Sequence, residues 1–517
     1  MKRIKRWMLC TAGIVISAGL FACKAPEPAS TRNLIVIVID TLRADRVGFA
    51  EGEGLDTPNL RRLASDAVVF SRAYSTTCWT VPSHGSLFTG LLPMSHNATQ
   101  ENPRLDPAIP TLAEKLSAQG YETIAFTNNS WLSNITELTR GFSTVEPMWR
   151  RGRERQAKIL EAIASARAAG EDPAAAARAA AAEVDAAAGD EAEVDEAEVE
   201  SDVHPTVGAI KAWLDNRDPD KPFLMFVNLI EPHWPYNPPE EFLRKAAGAR
   251  PGLADIRTAN FSAIQWYSGA RRITPAARDA RRVRYNAEVL YVDTVVGEIV
   301  EMLKAADVYE DALLVLTSDH GENLGEHGHH GHSFTLYETA IRIPLLIRPP
   351  GGAGSPASRR KEPVSLPDVY ATLANAAGLP ADEPKIAGAD LLGAPLAANR
   401  PIVSEYYEPK TFLDRFLPKP SIQEAVAQYR RRLRSLRVGD EKLIWASDGR
   451  HELYNLADDP DELEDLAAAQ PERVAALSAR LEEIVASRSL SSTDIRPPLS
   501  LIDPETVENL RALGYIP

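Results

Sequence analysis

Runs of apolar residues, almost without polar alternation, punctuate the chain at widely separated places. Leu34-Ile35-Val36-Ile37-Val38-Ile39 runs into Asp40. Phe223-Leu224-Met225-Phe226-Val227-Asn228-Leu229 ends shortly before His233. Leu313-Leu314-Val315-Leu316-Thr317 leads through Ser318 to Asp319 and His320. Such runs read as strands buried on both faces, the pattern of a parallel sheet. Ligands of parallel sheets bind beyond the carboxyl ends of the strands. Asp40 and the Asp319-His320 pair are therefore expected on one edge of one sheet.

Between these runs lie helical patterns. One opens at Asp56-Thr57-Pro58 and runs through Ala64; another covers Thr111 to Gln119 and stops at Gly120, ahead of a strand over Glu122 to Phe126. From about Arg400 the strands become short: Pro401 to Tyr407, Arg434 to Val438, Lys442 to Trp445 and Glu452 to Tyr454, followed by an amphipathic helix over Glu472 to Ala486. The fold class is α/β, a large mostly parallel sheet flanked by helices with a smaller sheet subdomain after it. The 517 residues exceed the ~250–300 over which a single core usually grows.

Two stretches depart from this grammar. Lys2, Arg3, Lys5 and Arg6 precede an apolar segment, Trp7 to Ala22, that ends at Cys23. This is the layout of an export signal. Leu20-Phe21-Ala22-Cys23 resembles a bacterial lipobox, with Cys23 as the lipidated residue; a plain signal peptide or a membrane anchor is the alternative. Residues 24–32 read as a tether. Arg150 to Asp202 is Ala-rich, first basic and then acidic, with few large apolar residues, and reads as a solvated insertion; an interaction role is the alternative. The reading divides the chain into 1–23 signal, 24–32 tether, 33–395 catalytic domain with its insertion at about 150–202, and 396–517 C-terminal subdomain.

Charge and cysteines narrow the field. A net charge of −15 argues against nucleic acid, which calls for a basic patch. It does not exclude an anionic substrate, because a bound cation inverts the local field. Cysteines fall at 10, 23 and 78. Two belong to the signal, so no internal disulfide framework is expected.

The candidate chemistry starts at Cys78-Trp79-Thr80-Val81-Pro82-Ser83-His84-Gly85. Pro82 suits the first turn of a helix, which would set Thr80 just before a helix N-terminus, where an anion is favoured. A simple N-cap is the competing reading of Thr80. Oxygen and imidazole ligands together, as in Asp40, Asp319 and His320, suit a divalent cation. Half of the ten histidines lie between 320 and 332. Of these, His329 and His330 read as members of a flexible surface loop.

Six segments, with a seventh near the end, carry a resemblance: Asn33 to Asp45, Thr80 to Gly90, Pro222 to Pro235, Tyr285 to Gly297, Leu316 to Gly328, Ile343 to Gly351 and Glu452 to Leu466. In this order they resemble the sulfatase-like hydrolases of the alkaline phosphatase superfamily. The resemblance implies the superfamily's fold, with an antiparallel C-terminal sheet, and hydrolysis of sulfate or phosphate esters. It implies a divalent metal (Ca, Mn, Zn or Mg) on Asp40, Thr80, Asp319 and His320, with Thr80 as nucleophile. His84, His233 and His332 would contact the transferred group or protonate the leaving group. His332 resembles the position where sulfatases usually place a substrate-binding Lys.

The chain departs from the usual sulfatase in informative ways. The formylglycine motif needs Cys or Ser two residues before Pro or Ala and four before Arg. Aligned on Pro82, this chain has Thr80 and His84 there, and Cys78 is two residues out of register. Oxidised Thr would be a ketone, not an aldehyde. Thr80 as nucleophile is instead similar to phosphodiesterases, phosphoethanolamine-type transferases and lipoteichoic-acid synthases, which keeps a phosphodiesterase or transferase open. An inactive sulfatase-like binding protein is the alternative of a different class. The expected partners are a small-molecule, glycan or lipid ester substrate and, through Cys23, a lipid anchor. The expected location is the periplasm, at the outer membrane. Oligomeric state is not legible.

Overall fold

The computed structural model describes residues 33–49, 54–150, 204–248, 261–269, 273–353, 358–379, 387–408, 419–488 and 504–513, with isolated residues between them. The export signal, the tether and most of the 150–202 insertion lie outside the described residues.

In chain order the strands are β1 (Asn33–Ile39), β2 (Val68–Tyr74), β3 (Glu122–Thr127), β4 (Thr144–Glu146), β5 (Phe223–Leu229), β6 (Ala312–Thr317), β7 (Asn323–Leu324) and β8 (His330–Gly331). They continue with β9 (Arg342–Arg348), β10 (Arg359–Arg360), β11 (Val364–Ser365), β12 (Ile402–Tyr406), β13 (Leu433–Val438), β14 (Glu441–Ala446) and β15 (Glu452–Asn455). The large sheet runs β10-β2-β9-β6-β1-β5-β3-β4, with β11 also paired to β2. β1 lies parallel between β5 and β6, in a register that sets Ile39 beside Leu229 and Val38 beside Thr317. The three apolar runs therefore end side by side, on one edge. Only β9 opposes its neighbours, antiparallel to both β6 and β2.

The missing alternation in β1 has a direct cause, because both faces of the sheet are covered. Leu34, Val36 and Val38 join a core under the helices Thr80–Thr89, Leu112–Ala118 and Leu366–Ala376. Ile35, Ile37 and Ile39 join a second core under the helices Pro58–Ala64, Pro205–Asn216 and Pro275–Ala305. Each of these side chains is nearly or fully buried, which is worth roughly 1.5–3 kcal/mol apiece against exposure.

β12, β13, β14 and β15 form the separate antiparallel sheet. It is fastened to the segment leading into the helix Thr80–Thr89: Glu405 N donates to Thr76 O at 2.8 Å, and Ser404 Oγ to Ser75 O at 2.7 Å. Buried Lys442 adds a second tie, with Nζ at 3.0 Å from Glu338 and 2.6 Å from Glu462.

Candidate active site

The helix Thr80–Thr89 sits over the sheet edge where β1 and β6 end. Its N-cap is Trp79, in extended backbone, so Thr80 is the first helical residue and makes no cap. At the other end Gly90, at φ 71°, closes the helix by donating to Ser86 O at 2.9 Å. With no capping role, the Thr80 hydroxyl hydrogen-bonds the Asp319 side chain. Ser83, one turn on, donates to the Asp319 carbonyl at 2.6 Å. The helix start is thus tied to the β6 loop through both the side chain and the backbone of one aspartate.

Among the described residues, Asp40, Asp319 and His320 bring their ligand atoms within 4.8 Å of one another, and all three are buried. Asp40 Oδ2 accepts from Asn129 Nδ2 at 2.8 Å, whereas its Oδ1 has no partner. Asp319 Oδ1 accepts from the N–H groups of Thr41, at 3.1 Å, and His320, at 2.9 Å. His320 Nδ1 lies 3.0 Å from Gly321 O. A carbonyl only accepts, so that nitrogen carries the proton and Nε2 presents a lone pair, unpartnered and 3.4 Å from Asp319 Oδ2. Two carboxylates and a bare imidazole lone pair thus face one another. Burial, and then the charge of Asp319, raises the Asp40 pKa well above the carboxylate range. Burial likewise lifts Asp319 to about 7. A divalent cation would satisfy the orphaned Asp40 Oδ1 and His320 Nε2 and remove this mutual repulsion.

The turn after β1 holds this arrangement. Thr41 has φ 56°, a left-handed conformation that a β-branched residue rarely adopts and that costs ~1–3 kcal/mol. Its N–H bonds Asp319, and its carbonyl accepts from Tyr285 Oη at 2.8 Å. Arg43 extends the bracing: its Nη1 donates to Glu322 O at 3.1 Å and pairs with Glu326 at 2.8 Å.

Of the three additional histidines singled out from sequence, two stand beside this group. The His332 ring lies 4.5 Å from that of His320 and 5.1 Å from that of His233, with Nδ1 3.5 Å from Glu322. Burial lowers both pKa values, His233 to about 3 and His332 well below its ordinary value. Both rings are therefore neutral; the His233 N–H, on Nδ1, is given to the Trp234 carbonyl, which leaves its Nε2 as a lone pair.

His84 is placed differently. It is fully buried, with Nδ1 2.8 Å from Thr80 O and its ring 5.8 Å from Phe226 and 5.9 Å from Phe88. The helical i to i+4 spacing turns it under Thr80 into the core, 3.9 Å from Asp319 Oδ2. Its N–H is taken by the Thr80 carbonyl, and burial lowers its pKa to about 3. His84 thus holds the Thr80 turn from below rather than standing with His233 and His332.

The surface-loop reading of His329 and His330 is overturned. The segment doubles back as the β7–β8 pair, and both rings are buried, at 8% and 0% exposure. Aromatic partners from distant segments enclose them: Tyr267 and Tyr429 around His329, Trp266 and Phe261 around His330. Sequence reading also passed over Asn129, Glu322, Arg43 and Tyr285. The asparagine follows a buried strand at the same sheet edge as Asp40, which is the signal that could have found it.

Cys78 is buried in a different cluster, with Tyr74, Tyr267, Phe334, Leu336 and Tyr406. Burial pushes its thiol pKa up to about 12.

Comparison with known proteins identifies the family. Residues 32–379 match the sulfatase family model. A choline-sulfatase of Rhizobium meliloti is 25% identical over 462 residues, covering 84% of this chain and 82% of that protein. Arylsulfatase K of Mus musculus is 24% identical over 516 residues, covering 92% and 85%. Among solved structures, the phosphonate monoester hydrolase of Agrobacterium radiobacter superposes with a TM-score of 0.64 at 22% identity, covering 89% of this chain and 96% of that one. A 2-O GAG sulfatase gives 0.61 at 18% identity, covering 92% and 96%. These structural likenesses speak to the fold.

Proposed function

The chain belongs to the sulfatase family and is an ester hydrolase, and from that premise we propose a metal-dependent enzyme in which Thr80 is the nucleophile. The observation that carries this reading is the convergence of Asp40, Asp319 and His320 with the Thr80 hydroxyl bonded to Asp319. Those four residues would hold the cation. When bound, a divalent metal supplies compensation for developing negative charge and a lowered hydroxyl pKa.

The chain's own residues account for the rest. The Thr80 hydroxyl already faces a carboxylate able to take its proton. Its oxygen attacks sulfur or phosphorus, and the ester oxygen leaves on the side of His233 and His332 and takes up the proton that Thr80 gave up. Water then releases the group from Thr80 and regenerates the hydroxyl. His84 fixes the Thr80 carbonyl, and with it the direction of the attacking oxygen.

Phosphate esters are a second reading with its own support. Thr80 stands where the sulfatase pattern has the residue oxidised to formylglycine, and Thr41 stands where a second early aspartate is usual. The likeness to a phosphonate monoester hydrolase points the same way. The basic start and Cys23 further support export to the periplasm with a lipid anchor. Turnover of paired aryl sulfate, phosphate monoester and phosphodiester substrates, with and without chelator, tests the reading. Full activity after Asp319→Asn or His320→Ala would overturn it.

A further inference from the structure

Glu322 is fully buried, yet among the described residues neither oxygen of its carboxyl has a partner in hydrogen-bond geometry. A carboxyl left so costs at least ~1–3 kcal/mol. Its backbone is held from both sides: the N–H donates to Thr339 O at 3.0 Å, and the carbonyl accepts from Arg43 Nη1 at 3.1 Å. His332 Nδ1 lies 3.5 Å from Oε2. A Cβ on Gly331 would sit 3.6 Å from Oε1, so the backbone just ahead of His332 lies against this carboxyl. On the other side the buried Tyr236 hydroxyl faces it. Behind the tyrosine stands Arg281, 1% exposed, with Nη2 3.4 Å from Tyr236 Oη. Its guanidinium is 4.9 Å from the Tyr236 ring and 4.7 Å from that of Phe261.

Four residues from four segments thus line up around one carboxylate. The guanidinium only donates, the tyrosine hydroxyl accepts and donates, and the carboxylate only accepts. The hydrogen that reaches the carboxylate from the far side comes from His332, so Nδ1 carries the proton and Nε2 keeps a lone pair. A carboxylate that fixes the tautomer of an imidazole in this way also stabilises the imidazolium formed when the ring takes a proton. The His332 ring stands 4.5 Å from that of His320 and 5.1 Å from that of His233, on the side where the ester oxygen leaves. Attacking and leaving oxygens lie in line, so the water that frees the group from Thr80 enters on that same side.

We propose that Glu322 is a positioning residue for the second half of the reaction: it holds His332 with Nε2 bare, and Nε2 takes a proton from the water that frees the group from Thr80. The inference rests on Thr80 as nucleophile. In this step a bond forms from the water oxygen to sulfur or phosphorus, and the bond to Thr80 Oγ breaks. The electron pair goes to Oγ, which takes a proton from solvent, while His332 passes the proton it took from water to solvent.

The test uses the full-length protein with divalent metal and nitrophenyl sulfate or nitrophenyl phosphate, whichever the unaltered protein turns over faster. The good leaving group makes the first half fast. Glu322→Gln keeps the shape and removes the charge. It should lower kcat by about 100-fold, the lower end for a general base, and leave kcat/KM, which reports departure of nitrophenol, within about twofold. Stopped-flow traces should then show a burst of about one nitrophenol per enzyme. A merely structural role would lower kcat/KM as well. Tyr236→Phe should lower kcat about threefold, a weak hydrogen bond's contribution, again at constant kcat/KM, and it serves where melting curves show Glu322→Gln unfolded. On top of His332→Ala, Glu322→Gln should change kcat by less than about twofold, because Glu322 acts through that ring. Equal losses in kcat and kcat/KM, an unchanged kcat, or a further loss on top of His332→Ala would overturn the role of Glu322 while the Thr80 reading stands. Active protein that carries no group on Thr80 when quenched would remove the Thr80 reading, and this inference with it.

Discussion

The backbone N–H of Thr41 donates a 3.1 Å hydrogen bond to Oδ1 of Asp319, across 278 residues of sequence. That single contact joins the turn after β1 to the turn after β6 and fixes the spacing of the two carboxylates that face each other in the site. It exists because Thr41 accepts a left-handed backbone, at φ 56°, and because β1 and β6 are adjacent parallel strands ending in register. Fold and site meet in this bond, and several expectations depend on it.

Asn129 is expected to tune the cation site without belonging to the reaction. Its Nδ2 is the hydrogen-bond donor to Asp40 Oδ2. Asn129→Leu, similar in size, should weaken metal affinity or activity by about 10–100-fold, as loss of a ligand-orienting bond commonly does. Metal titration followed by melting temperature checks this; affinity equal to that of the unaltered protein would contradict it.

The metal-free protein should show a distinctive pH dependence. Asp319 titrates at about 7 when folded against an ordinary 3.8, and Asp40 is raised as well. A carboxyl raised on folding contributes stability that is fully present below its unfolded pKa and lost as pH rises through the folded one. Chelated protein should therefore lose melting temperature from about pH 4 to beyond pH 7. Added divalent cation should raise it more at pH 8 than at pH 5. A metal-induced shift independent of pH would refute the placement of these two carboxyls in the metal site.

Cys78 is expected to be chemically quiet. With its thiol pushed up to about 12 inside an aromatic cluster, iodoacetamide should label it only after unfolding, since the thiolate is the nucleophile. Cys78→Ala should retain most turnover, at ~1 kcal/mol of stability for the small cavity. Rapid labelling of the native protein, read by mass spectrometry, would show that the cluster opens.

What the sequence made legible follows from physics that acts locally. β1 and β6 are apolar on both faces because both faces are covered, and their ends deliver Asp40, Asp319 and His320 to one edge. His84 and His330 were harder to read. His84 occupies the right distance along the chain from Thr80, but one helical turn points it into the core against Phe226. His330 looks exposed among its glycines, but Phe261 and Trp266, distant in sequence, pack against its ring. Asn129 sits in the polar run Thr127-Asn128-Asn129-Ser130, where the end of β3 marks the sheet edge but not which of the two asparagines turns to Asp40.

Whether Thr80 is the nucleophile is read by mass spectrometry of the peptide carrying Cys78 and Thr80, taken from protein quenched during turnover. The expected spectrum has an unmodified cysteine at position 78 and, on Thr80, the added mass of one sulfuryl or phosphoryl group that disappears in Thr80→Ala together with turnover. An aldehyde at position 78 with Thr80 unaltered, or undiminished turnover by Thr80→Ala, would contradict it.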